Sequence, residues 1–125
     1  MGEIISVMIG GAVGSGLRYL VAVALPVHHD AFPWPTFLVN LLGSFVLGVL
    51  SGLALRSDIL SRTTLLLVGT GLCGGFTTFS TFSMESVGLL QAGHAGIAVM
   101  YMAGSLVGGL GAAALGLGVV RVSWT

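Results

Sequence analysis

Thr77, Thr78, Ser80, Thr81 and Ser83 place five hydroxyls within seven residues, interleaved with Phe76, Phe79 and Phe82. Just before them, Gly69, Gly71, Gly74 and Gly75 weaken any helix, since mid-helix glycine costs about 1 kcal/mol against alanine. The stretch lies inside a hydrophobic region long enough to cross a bilayer. Irregular backbone at that depth persists only where it is buried in protein or lines an aqueous cavity. Hydroxyls, loosened backbone and rings in this order therefore point to a binding or conduction site. No nucleophile–base pair is visible, and Glu85 is the only acid nearby. The chemistry implied is ligation and passage, with nothing catalysed.

The elements around this site must be membrane helices. The chain has 125 residues, 55% of them hydrophobic and 6% charged, with mean hydropathy +1.08. Soluble domains carry about 25% charged residues. At about 20 apolar residues per span, the length allows four helices and short loops, which makes an all-α integral membrane protein. The spans are read at about 3–25, 35–55, 63–90 and 97–120, in a single transmembrane domain. Four spans enclose little volume, so oligomerisation is expected. The zero net charge argues against nucleic acid as a partner. The N-terminus lacks the basic region of a secretory signal, so span one is expected to be retained. Cys73 has no partner for an intrachain disulfide and reads as a small buried hydrophobe.

Glycine is in excess, with 21 residues against the usual share of about 7%. Small residues four apart, such as Gly10 and Gly14, Ser44 with Gly48 and Gly52, and Gly104 with Gly108, bring helix backbones together in lipid. Arg18, about two turns from the end of span one, has two readings. It is a snorkelling interfacial arginine, or it forms an electropositive vestibule or partners a polar group on another helix. The loop residues His28, His29 and Asp30 are adjacent and do not converge as metal ligands do, so they read as solvated loop. Trp34 reads as an interfacial anchor.

Asn40, inside span two, must find hydrogen bonds. It either ties the bundle together or faces a water-filled path, and Thr36, four residues earlier, shares its face. In span three, eleven residues from Thr63 to Cys73 precede Gly74. At about 1.5 Å each they cover roughly half of a 30 Å core. A helix broken at Gly74–Phe76 is thus expected near the bilayer centre, with exposed carbonyls able to ligate a small hard cation. Helical spacing then puts Thr77, Thr81 and Glu85 on one stripe, with Ser80 beside it and Phe79 and Phe82 on the other side. Bonding back to the preceding turn is the alternative use for the hydroxyls, and packing is the alternative for the rings. Glu85, near the end of the span, is expected to reach water. Span four reads as a packing helix whose Tyr101 and Ser105 share a face towards the polar path.

From Gly74 to Ser83, Gly-Gly-Phe-Thr-Thr-Phe-Ser-Thr-Phe-Ser closely resembles the signature of the Fluc-type fluoride channels, the bacterial fluoride exporters. The resemblance runs the length of the chain: a glycine-rich first helix with Arg18, Val-Asn-Leu at Asn40, the interrupted third helix, and Tyr101 and Ser105 among glycines. It implies an antiparallel, dual-topology homodimer with two pores for fluoride in the cell membrane. It also implies a structural sodium ion at the dimer centre, held by the backbone carbonyls of Gly74 and Thr77. Phe79 and Phe82 match the ring pair lining the pores, and Asn40 the pore-side amide. Thr36, Ser80, Thr81 and Ser83 fall along the polar track, with Tyr101 and Ser105 near it. Hydroxyls and an amide can replace the water of a strongly hydrated anion, and positive ring edges add weak sites.

Two other classes fit four apolar spans. A proton-coupled small multidrug transporter needs a carboxylate deep in the membrane, which Glu3 and Glu85 do not supply. A non-transporting assembly subunit explains the glycine faces but not the polar interruption. Topology is where residue counting and resemblance diverge. Arg56, Arg62 and Arg121 fall on one side, against none or only Arg18 on the other. Positive-inside counting favours one orientation, whereas the antiparallel dimer requires both.

Overall fold

The computed structural model describes residues 1–56 and 58–123; Ser57 of the 56–62 loop, Trp124 and Thr125 lie outside the described residues. Long apolar runs with few charges make helices that satisfy their own backbone, the form that lipid permits. Four stretches are long and apolar enough to span a membrane: Gly2–Ala24, Trp34–Arg56, Arg62–Gln91 and Ala95–Ser123. The first two are α1 and α2. The third is composite: α3 (Arg62–Thr64), a π-helix (Leu65–Cys73), α4 (Gly74–Phe76) and α5 (Phe79–Gln91). The fourth is α6 (Ala95–Ser123). No strand occurs among the described residues.

The expected interruption at Gly74–Phe76 is displaced. Gly74 is helical (φ −63°, ψ −39°), and the extended residues are Thr77 (φ −83°, ψ 158°) and Thr78 (φ −154°, ψ 120°). Glycine lowers the cost of leaving a helix but does not choose the place. The last helical bond here runs from Thr77 N–H to the Cys73 carbonyl, 3.0 Å. The next donor, Thr78 N–H, is taken by a side chain of another helix. The nine-residue π-helix was not foreseen. Its wider turns, bonded i to i+5, lie against α1.

Two helix pairings, α1 on the third span and α2 on α6, form most of the tertiary contact. Both are backbone-to-backbone. A Cβ on Gly10 would overlap the Leu67 carbonyl oxygen, and one on Gly14 the Leu72 carbonyl oxygen. In the second seam a Cβ on Gly48 would overlap the Ala113 carbonyl, and one on Gly116 that of Phe45. Close approach replaces the hydrophobic drive that lipid removes. The small-residue face of α6 works through Gly116 rather than Gly104 and Gly108, which meet only side chains of α2 at 3.4 Å or more. Near one end, Leu89, Ala98 and Tyr101 are fully buried among Phe32, Phe37 and Phe82. At the opposite end Arg62 pairs with Glu3, so the N-terminus and the 56–62 loop share one membrane face.

Gly14→Ala should destabilise the folded protein by about 1–3 kcal/mol, because neither backbone can give way. Gly96→Ala, which meets nothing within 4 Å, should be neutral or slightly stabilising. Thermal unfolding of the two purified variants in detergent checks the contrast.

Candidate functional site

The site is built where the third span stops being helical. α5 starts at Phe79 with Thr78 as its N-cap: the Thr78 hydroxyl accepts from Thr81 N–H at 3.2 Å. That satisfies one of the orphan donors a helix start leaves. The same hydroxyl donates to Thr81 Oγ1 at 3.2 Å and lies 3.3 Å from Ser80 Oγ. The N–H groups of Phe79 and Ser80 find no partner among the described residues. The start of α5 therefore carries unspent donors together with the positive end of its dipole.

From α2, the Asn40 amide grips the Thr78 backbone at two points. Thr78 N–H donates to Oδ1 at 2.8 Å, and Nδ2–H donates to the Thr78 carbonyl at 3.2 Å. An asparagine side chain is itself an amide, so it pairs with this residue much as an adjacent strand would. One turn on, Gly43 leaves room for the Thr77 methyl, which a Cβ would overlap. Thr77 is not on a stripe with Thr81 and Glu85, as helical spacing had it. It lies in the interruption itself, and its hydroxyl donates back to the Cys73 carbonyl at 2.8 Å.

Of the two readings for Arg18, the structure supports the polar partner: Nε donates to the Gly75 carbonyl at 3.0 Å. Glu85 does not simply reach water. Its two carboxylate oxygens accept from Thr36 at 2.6 Å and from Tyr101 at 2.9 Å. Thr36 is 7% exposed and Tyr101 not at all, so the carboxylate is gripped from both α2 and α6. The signal for Glu85 was present, since Thr81 and Glu85 are one helical turn apart on α5. What the sequence could not supply was its acceptors' partners on other helices.

Two open cavities meet at this point. One of about 640 Å³ has Arg18, Thr36, Thr78, Thr81 and Glu85 on its wall. The other, of about 420 Å³, has Asn40, Gly74, Thr77, Thr78 and Phe79. Thr78 lines both, so the polar interruption forms a wall common to the two. Phe79 is 79% exposed and its ring centroid is 5.7 Å from that of Phe82. Phe82 turns inward, edge-on to Tyr101 at 5.1 Å. Five candidates from the sequence, Ser80, Phe82, Ser83, Tyr101 and Ser105, line neither cavity. Ser83 bonds back to the Phe79 carbonyl at 2.9 Å, the ordinary use of a helix hydroxyl. The Ser105 hydroxyl is buried and has no partner among the described residues.

Fold and site together define a multi-pass membrane protein whose third span carries a polar interruption at the meeting of two cavities. Comparison with known proteins is more specific. Residues 5–117 match the family described as CrcB-like protein, Camphor Resistance (CrcB). A protein of Chlorobaculum tepidum is 53% identical over 110 residues, covering 88% of this chain and 87% of its own. One from Chlorobium chlorochromatii is 45% identical over 98% of this chain and 93% of its own. Another, from Sphingopyxis alaskensis, is 45% identical over 97% of each. All three bear the name fluoride-specific ion channel FluC. The chain belongs to the CrcB-like family.

Thr36→Val and Tyr101→Phe each leave Glu85 with one of its two donors. Because both act on one carboxylate, their destabilisations should be non-additive, with a coupling of about 0.5–3 kcal/mol. Unfolding free energies of the two single variants and the double variant check this.

Proposed function

We propose that this protein is a fluoride-selective ion channel through which fluoride leaves the cell passively, conferring resistance to the ion. The observation that carries the proposal is kinship, over nearly the whole chain, with relatives named for that activity. The local chemistry agrees. Fluoride is compact and strongly hydrated, so passage requires donors that replace its water. Hydroxyls of Ser80 and Thr81, the second Nδ2–H of Asn40 and the unspent N–H groups of α5 are donors of that kind. Each is weak alone, and several weak sites in series allow both entry and exit. Fluoride that enters as its neutral acid leaves as the anion, driven by about 2.3 kcal/mol per 100 mV of interior-negative potential.

The working unit in this reading is an antiparallel homodimer with two pores. Phe79, three-quarters exposed on a single chain, and Gly74, with nothing within 4 Å, are surfaces a second copy would complete. Phe79 and Phe82 line the path with Asn40. Thr36, Ser80, Thr81 and Ser83 form its polar track, with Tyr101 and the partnerless Ser105 hydroxyl alongside and Arg18 in the vestibule. A structural sodium ion sits at the dimer centre. Its fit to this chain rests on the carbonyls of Gly74 and Thr77, which receive no hydrogen bond among the described residues. Bound there, the ion would balance the carbonyl dipoles left facing one another at the interface.

A proton-coupled drug exchanger is disfavoured. Glu85 stands six residues before the Gln91 end of α5, about 9 Å along the axis, rather than at mid-membrane.

Liposomes loaded with fluoride test the proposal. Purified protein should release fluoride without a proton gradient, and far less chloride. Absence of fluoride-specific efflux would sink it. Phe79→Ile and Phe82→Ile should each cut the flux severely while the dimer still assembles, and full flux from both would return the rings to packing. Single cysteines in the 56–62 loop, on a Cys73-free background, should label from both faces of the cell membrane. Labelling from one face alone would exclude dual topology.

A further inference from the structure

The carbonyls around the interruption are not equally available, and side chains of other helices decide which are. In an uninterrupted helix, N–H groups of residues 77 to 81 would close the carbonyls of 73 to 77 in turn. Here Cys73 alone keeps that bond, and it also accepts from the Thr77 hydroxyl. Gly75 is closed instead by Arg18 of α1. Thr78 is closed by the Asn40 amide. Gly74, Phe76 and Thr77 remain open among the described residues. The partner that would have closed Gly74 is Thr78 N–H, and it is held by Asn40 Oδ1 at 2.8 Å.

We infer that Asn40 is the positioning residue that creates the cation site: by holding Thr78 N–H, it keeps the Gly74 carbonyl free to ligate sodium. This rests on the sodium reading given above and adds a cause to it. The role belongs to the acceptor half of the amide, Oδ1, and is separate from any contact between Nδ2 and a passing anion. Removing the acceptor returns Thr78 N–H to Gly74, extends α4 by one residue and closes a ligand on each chain. An aspartate at the same position keeps the acceptor, loses the donor to the Thr78 carbonyl and adds an ionisable carboxylate. The local cause is visible in the neighbours too. Gly43 gives Thr77 the space to turn away from the helix axis, and the N-cap bond from Thr81 N–H holds Thr78 on the far side.

The test reads sodium binding and not flux, because Asn40 also lies on the proposed fluoride path. The dimer's melting temperature in detergent is followed while sodium chloride replaces N-methylglucamine chloride at constant ionic strength. Wild-type protein should be stabilised with a measurable half-saturating sodium concentration. Asn40→Ala should raise that concentration about 10–100-fold, the usual range for losing a residue that orients a metal ligand. Asn40→Asp should respond at the wild-type concentration or below it. An Asn40→Ala variant with the wild-type midpoint would overturn the inference. So would an Asn40→Asp variant that loses its sodium response, and this second arm decides the matter if the alanine variant does not fold. No sodium response in the wild type would instead overturn the ion reading beneath it.

Discussion

A peptide N–H or C=O in the middle of a bilayer has no water to fall back on, and each one left unpaired costs several kcal/mol. The rest of this structure depends on how that demand is met at one residue, Thr78. Its N–H and C=O both go to the Asn40 amide. With that residue paired outside its own span, the third helix can stop and restart without stranding it. α5 then begins with a capped, donor-rich end, and α4 ends with open carbonyls beside it. Thr78 is also the residue that lines both cavities.

Polar groups elsewhere obey the same demand in a different form. Glu85 is placed on α5 by helical repeat, yet it is kept by Thr36 and Tyr101 from two other helices. Tyr101 is also the hub of a run of rings, edge-on to Phe32 at 5.4 Å and to Phe82 at 5.1 Å. Its hydroxyl end serves the carboxylate, while its ring serves the apolar core. Such edge-on pairs contribute about 0.5–1.5 kcal/mol beyond area burial. The buried carboxylate and the packing core are therefore joined at a single side chain.

Four spans were legible from hydropathy and length, because a membrane helix must be apolar for most of its extent. The importance of the glycine-rich, hydroxyl-rich stretch was legible too, because nothing else explains so many polar groups at that depth. The interruption itself was misplaced by a residue or two. Gly74, Gly75 and Phe76 stay helical since their conformation is open to them, and the bond that ends the helix comes from Asn40, 38 positions away. No local pattern encodes that distance. Thr78 went unsingled for the same reason: as one of five hydroxyls it looked like its neighbours, and only the fold makes it both cap and clamp. The π-helix likewise has no pattern in the side chains that would separate it from an ordinary apolar helix.

The seam between α1 and the third span is made of backbone on backbone, at Gly10 with Leu67, Gly14 with Leu72 and Gly75 with Gly11. Most helix contacts are cushioned by side chains that can change rotamer and absorb a shift. Here there is no such cushion, and packed interfaces without slack change by discrete jumps rather than by gradual give. Arg18 and the Gly75 carbonyl it touches thus face each other across a seam with no side-chain slack.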